Sequence, residues 1–293
     1  VLEMGMSDLG EIHNLAKTAL PDMAVITNIG LSHLENLKTQ ENILKAKMEI
    51  TDFFTENNVL VVNGEDKLLN NLNNNCFKVE KTGYNHEYDV YATNIILREN
   101  STEFTAHHKG EEFTFKLPMA GKHNVLNSML AIDIAFNLGL SFEEMNEGLK
   151  NLEATSMRLQ VIKKENITII NDCYNASPDS MKSSLDVLST YNGGRKVAIL
   201  GDMYELGSKS KEAHAEVGGY ATDKVELLIA IGENIKEFRS GYKGKNIVTF
   251  GTKDECLEKL EEYINKNDII LVKASRGMKF EEVVNKLESI SIS

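Results

Sequence analysis

The chain has 293 residues, 42% of them hydrophobic, with 32 basic against 44 acidic residues and a formal net charge of -12. That length fits about two domains, each with enough apolar content for a packed core. The acidic balance excludes a nucleic-acid binder, which needs a basic face, but not a nucleotide binder, since a few local donors hold a triphosphate.

Val1-Leu2-Glu3-Met4-Gly5 reads as the end of a buried strand. Met23 to Asn28 and Val59 to Asn63 are short apolar strands, with helical periodicity between them from Thr39 to Phe54. Asn70 to Cys76 is asparagine-rich and reads as a loop or frayed helix end. Tyr88 to Leu117 alternates in strand fashion, and Lys109-Gly110-Glu111 between its later pieces predicts a hairpin turn. Helices follow near 125–138 and 142–152. The boundary is expected within 151–156, giving domains 1–153 and 154–293. Beyond it, a hairpin of 159–163 and 168–170 leads into helix 181–190. Strands near 197–200, 226–231, 247–250 and 268–272 then alternate with helices near 209–221, 233–240, 254–265 and 279–289. Such alternation predicts an α/β domain with a doubly wound, mostly parallel sheet. No apolar run is long enough to span a membrane and no signal peptide opens the chain. Cys76, Cys173 and Cys256 are far apart, without a CxxC pair, so a reducing, cytoplasmic setting is expected.

The richest stretch is Asn171-Asp172-Cys173-Tyr174-Asn175-Ala176-Ser177-Pro178-Asp179-Ser180. Its polar residues leave the carboxyl end of a strand just before a helix opens. Ligands bind there in open α/β sheets, and a helix N-terminus favours phosphate. A well-capped junction explains the same pattern, with Pro178 at the helix start and Asp179 or Ser180 serving the first turn. Glu3 ends one strand and His33 follows another, and a carboxylate with an imidazole suits a divalent cation beside phosphates; taken alone, Glu3 reads as a solvated strand-end acid and His33 as a helix-entry histidine. His13, His86, His107, His108 and His214 read as surface residues. Lys47 lies on the helix after His33, either a surface lysine or a functional cation. Asn124 either caps the helix opening at His123 or offers its amide to an adenine edge. Arg158 at the domain junction braces two domains or reaches a γ-phosphate with its fork. Lys273, Ser275 and Arg276 follow the last parallel strand, where they would hold a carboxylate, and Gly201-Asp202-Met203 follows an earlier one. Gly5, Gly30 and Gly201 permit close backbone approach. No GxxxxGK[ST] phosphate loop is present.

Together these residues resemble the Mur ligase family of peptidoglycan synthesis. Glu3-Met4-Gly5 is similar to its strand-end glutamate, Thr27 through Glu35 to its metal-binding histidine segment, and Ala46-Lys47-Met48-Glu49-Ile50 to the segment holding its carbamylated lysine. Gly121-Lys122-His123-Asn124 with Asn127 resembles its nucleotide-contacting HNxxN. Arg158 and Asp172 match its C-terminal Arg and Asp, with Met157 where a glycine usually stands. Asp172 to Ser180 and Leu200 to Gly207 resemble the branch that adds D-alanyl-D-alanine.

The resemblance implies a partial central ATP-binding domain followed by a Rossmann-like ligase domain. It also implies an ATP-dependent amide ligase joining D-alanyl-D-alanine to UDP-N-acetylmuramoyl-tripeptide through an acyl phosphate. Glu3 and His33 would hold Mg2+, with Lys47, if carbamylated, helping to hold a second ion. Asn124, Asn127, Asp172, Tyr174 and Asn175 would serve the nucleotide, Arg158 the γ-phosphate, and Lys273, Ser275 and Arg276 the dipeptide. No nucleic-acid or membrane partner is implied, and a monomer is expected. The family's UDP-binding domain and phosphate loop are missing from these 293 residues, so the chain alone is expected not to ligate. A folylpolyglutamate synthase-like ligase shares the architecture, though Tyr174-Asn175-Ala176 disfavours it. A nucleotide- or dipeptide-binding module without turnover is the alternative of another class.

Overall fold

The computed structural model describes residues 1–152 and 155–290. The expected boundary pair, Glu153 and Ala154, lies outside the described residues. The chain divides into two compact units, one of residues 1–97 and 101–152, the other of 98–100 and the residues beyond 152.

The first unit carries a six-stranded sheet, β1 (Met23–Ile26), β2 (Val59–Asn63), β3 (Lys78–Gly83), β4 (Val90–Leu97), β5 (Thr102–His108) and β6 (Glu111–Leu117), in that spatial order. β1 to β4 pair in parallel, and β4 to β6 antiparallel. The predicted turn joins β5 to β6, with Lys109 at φ 50° and Gly110 at φ 85°. Two successive left-handed residues match the twist of a two-residue hairpin. Helices α1 (Glu11–Ala19), α2 (Leu34–Leu37), α3 (Gln40–Met48), α4 (Lys122–Asn137) and α5 (Phe142–Lys150) complete the unit. Thr39 caps α3 by accepting from the Asn42 N–H, and Ile43 and Ala46 bury its inner face.

Val1 to Gly5 form no strand, correcting the expectation, and Val1 and Leu2 are exposed. α1 and β3 carry no clear sequence signal and emerge only in the structure.

The second unit is the doubly wound domain. It contains β7 (Gln160–Lys163), β8 (Ile167–Asn171), α6 (Pro178–Ser189), β9 (Lys196–Gly201), α7 (Ser210–Ala221), β10 (Leu227–Ile231), α8 (Ile235–Gly241), β11 (Ile247–Phe250), α9 (Lys253–Lys259), β12 (Asp268–Lys273) and α10 (Glu281–Ser289). The sheet order is β11-β10-β9-β12-β8-β7, parallel throughout except for the β7–β8 hairpin. β10 and β12 are buried along their whole length, as strands covered on both faces must be. The order reverses where β12 returns between β9 and β8. Val272 pairs with Asn171 and Lys273 with Leu200, so the carboxyl ends of β8, β12 and β9 lie side by side. α6 opens on a capping box in which Ser177 is the cap and Ser180 serves the first turn, as expected, with Pro178 at the helix start.

Candidate functional site

Predicted site residues occur in both units. In the first, the loop after β1 is held by Asp66, a residue with no motif to mark it in the sequence. Asp66 accepts from the Ile29 N–H at 2.7 Å and from the Leu68 and Leu69 N–H groups at 2.9 and 3.1 Å. Gln40 Nε2 donates to Ile29 O at 2.8 Å from the other side. His33 is half-buried and enters α2 with φ 63°. Lys47, half-buried on α3, donates from Nζ to Asn28 O at 2.8 Å. Burial pushes its ammonium pKa down, against the opposing pull of Asp66.

Glu3 is exposed and outside any strand, so it does not emerge at a sheet edge as expected. Among the described residues no group of three or more His, Cys, Asp or Glu is placed to hold a metal ion. The donor set of Glu3 and His33 is too small for a protein cage. It suits only an ion such as magnesium, which keeps several waters and takes oxygens from a phosphate ligand.

Asn124 does not cap α4. Gly121 occupies that position, and the buried Asn124 donates from Nδ2 to Ala120 O at 2.7 Å. Asn127 lies one turn on, exposed, on the same face.

In the second unit the strand ends bring Asp172 and Lys273 together. Lys273 Nζ lies 2.6 Å from Asp172 Oδ2 and 3.0 Å from Asn175 O. Asp172 also accepts from Ser184 Oγ at 2.5 Å and from the Leu159 N–H at 3.0 Å. Asp172 and Lys273 are both buried. The expectation that Lys273 holds a dipeptide carboxylate therefore fails on geometry: its ammonium is engaged inward, where a buried charge must be paired. Ser275 departs in the same way, being buried with Oγ accepting from the Tyr204 N–H at 2.8 Å. Arg276 alone of the three is exposed, 3.2 Å from Glu281 Oε1. Gly201 is a packing glycine, not a ligand approach, since a Cβ there would meet Phe280 at 2.5 Å and Ala274 at 2.7 Å.

Beyond β8, Tyr174 and Asn175 are exposed. The Arg158 guanidinium lies 4.2 Å from the centre of the Tyr174 ring, and the Tyr174 N–H donates to Met157 O at 3.1 Å. The usual glycine position, Met157, has φ 60°, the left-handed conformation that glycine favours.

His214 is fully buried, against the surface reading. Its Nε2 accepts from the Met203 N–H at 2.9 Å and its Nδ1–H donates to Ser210 O at 2.7 Å, fixing one neutral tautomer. Burial holds its pKa below the ordinary histidine value. A histidine among polar helix neighbours carries no sequence signal for this, because its partner comes from another element.

The Mur ligase middle domain matches residues 1–135 and the Mur ligase glutamate ligase domain matches residues 157–276. The chain belongs to the Mur ligase family. Among Mur ligases it is 40% identical to the UDP-N-acetylmuramoyl-tripeptide--D-alanyl-D-alanine ligase of Bacillus subtilis over 294 aligned residues, 98% of this chain and 64% of that protein. MurF from Acinetobacter baumannii superposes with a TM-score of 0.89 at 29% identity, covering 99% of this chain and 64% of that one. MurF from Thermotoga maritima, solved with ADP, superposes with a TM-score of 0.85 at 30% identity, covering 98% and 66%. The chain thus spans just under two thirds of the length of the Mur ligases it matches.

Proposed function

We propose that this chain supplies the nucleotide- and amine-side parts of an ATP-dependent amide ligase that joins D-alanyl-D-alanine to UDP-N-acetylmuramoyl-tripeptide. The observation carrying this reading is the carboxyl edge of the second sheet. An exposed Arg158–Tyr174 stack stands there beside a buried Asp172–Lys273 pair, in a chain 40% identical to a ligase of that name. A carboxylate is a poor electrophile, so an amide ligase first gives it a phosphate leaving group, and the transfer then rests on positioning and charge neutralisation. Arg158, pre-oriented on the Tyr174 ring, is the cation for the γ-phosphate. Asn124 and Asn127 on the first unit are candidate nucleotide contacts through their side-chain amides, and on the second unit Tyr174 and Asn175 are candidates in their own right. The Asp172–Lys273 pair fixes the backbone from which Tyr174 and Asn175 project. His33, and Lys47 as its carbamate, would hold the magnesium that arrives with ATP, and the ion would supply neutralisation of phosphate charge. Free cysteines and a nucleotide substrate accord with a cytoplasmic setting.

The test is phosphate release from ATP by the chain joined behind the upstream segment of the Bacillus subtilis ligase, with each co-substrate omitted in turn. The expected result is release only when both the UDP-muramoyl-tripeptide and D-alanyl-D-alanine are present. Activation by a folate with glutamate would overturn the reading. The 293 residues alone are expected to bind ADP without ligating.

A further inference from the structure

At the carboxyl edge of the first sheet, an aromatic ring holds a lysine that no carboxylate neutralises among the described residues. β1 to β3 run parallel, so the residues that follow them stand along one edge. Beyond β1, Lys47 Nζ is already engaged by Asn28 O, and beyond β2, Asp66 is engaged by backbone N–H groups. Tyr84 comes directly after β3, half-buried, and is fixed from three sides. Its N–H donates to Glu65 Oε1 at 2.7 Å, its hydroxyl donates to Lys122 O at 3.1 Å, and the Lys122 ammonium lies 4.3 Å from the centre of its ring. The corner is tight, since a Cβ at Gly83 would meet Glu65 Oε1 at 2.6 Å. Lys122 is the exposed first residue of α4, and one tyrosine thus sets both its backbone and its ammonium.

Two other lysines lie over a ring, Lys182 and Lys224 on Tyr220, and each also meets a carboxylate, Glu216 at 2.5 Å and Asp186 at 2.6 Å. Lys122 has the ring without the carboxylate. An aromatic face attracts a cation through its quadrupole and leaves the full charge in place. An anion reaching this edge therefore gains the interaction with no ion pair to break first. Asn124 and Asn127, the candidate nucleotide contacts, follow on the same helix, about 3 and 7.5 Å further along its axis. Their amides suit a base edge, whereas an ammonium, a point charge with donors only, suits phosphate oxygens.

We infer that Lys122 binds a phosphate group of the nucleotide and that Tyr84 is the residue that positions it. The inference rests on the nucleotide-binding half of the ligase reading. The co-substrate of that reading carries a diphosphate of its own, so the same chemistry has a second source, and the test separates the two.

Binding of ADP, adenosine and UDP to the 293-residue chain is measured by NMR titration for wild type, Lys122→Gln, Tyr84→Leu and Tyr84→Phe. Lys122→Gln should weaken ADP about fivefold, the upper scale of a partly exposed charge pair, and flatten the salt dependence of ADP binding, while adenosine binds as in wild type. Tyr84→Leu should show the same ADP-specific loss, and Tyr84→Phe, which keeps the ring under the ammonium, should retain most of the affinity. Unchanged ADP binding in Lys122→Gln, or equal losses for ADP and adenosine, overturns the assignment and leaves the nucleotide reading standing. A loss seen with UDP and not with ADP overturns it too, and gives the ammonium to the co-substrate's diphosphate. A wild-type chain that binds neither ADP nor adenosine overturns the nucleotide reading and the inference with it.

Discussion

Asp133 should make the first unit lose stability as pH rises. It lies on α4, fully buried, with Oδ2 lacking a hydrogen-bond partner among the described residues. Glu80 of β3, also buried, faces the same region, one oxygen on Lys78 Nζ and the other 2.6 Å from Asn137 Nδ2. Asn137 Nδ2 bonds back to Asp133 O at 3.0 Å. Two carboxyl groups in one apolar setting are best accommodated with a proton on one of them. Burial first, then the charges of Glu80 and Asp89 against the opposing Lys78, push Asp133 up to about 8. A neutral Asp133 can donate to Glu80, which accounts for the oxygen without a partner. The folded protein then holds a proton that the unfolded chain releases above about pH 4, so stability falls as pH rises and levels off above about pH 8. The slope is about 1.4 kcal/mol per pH unit, or about 2 kcal/mol between about pH 6.5 and 8. For a domain of this size that lowers the melting temperature by roughly 4–8 °C. His108, stacked on Phe136 of α4 with ring centres 3.9 Å apart, is held below its ordinary value mainly by burial, so its opposite effect falls below pH 6.5. Asp133→Asn keeps a donor toward Glu80 without a titrating proton. Its melting temperature, followed by calorimetry and by hydrogen exchange of the α4 amides, should be flat from about pH 6.5 to 8.5 and exceed wild type at the upper end. Parallel pH profiles for the two proteins would refute the shared proton.

The second unit should respond oppositely to acid. The folded His214 pKa is lowered, so its contribution is present above pH 6.5 and lost as pH falls below, and His214→Gln should flatten the acid limb of the unit's unfolding curve. Lys273→Met should cost about 3–5 kcal/mol in denaturant unfolding by stranding the buried Asp172. Replacing both partners by apolar residues should recover much of that loss, and no recovery would mean that something other than the stranded carboxylate sets the cost. Gly241→Ala should destabilise by about 1–3 kcal/mol, because a Cβ there overlaps the Ala215 backbone oxygen where α7 and α8 cross. An unchanged midpoint would show that the helices can separate without cost.

The parallel sheet was legible because strands buried on both faces read as unbroken apolar runs, as Val197 to Leu200 and Leu227 to Ile231 do. The Lys109-Gly110 hairpin and the α6 start were legible because turn and cap chemistry is local. β3 was not, since Lys78-Val79-Glu80-Lys81-Thr82-Gly83 reads as a charged loop. Glu80 enters the interior only because Lys78, Asn137 and Asp133 meet it there, and two of those lie more than fifty positions away on α4.

The candidate site divides along the same line. Asp172, Gly201 and Lys273 could be placed on one sheet edge from sequence, because alternating strands and helices make the strands parallel and gather their carboxyl ends on one edge. Direction could not be read that way. A residue at a strand end faces inward or outward according to partners far along the chain, and Lys273 turns in because Asp172, 101 positions earlier, is there to receive it. Ser275 turns in to hold the backbone of Tyr204, 71 positions earlier. The polar residues at this edge thus separate into a buried set that fixes the loops and an exposed set that the loops present: Arg158, Tyr174, Asn175 and Arg276. Substitutions in the first set should act on stability and on ligand binding together. Substitutions in the second should act on ligand binding with the fold intact, and the Lys273→Met and Arg158→Gln variants, melted and titrated with ADP side by side, measure that separation directly.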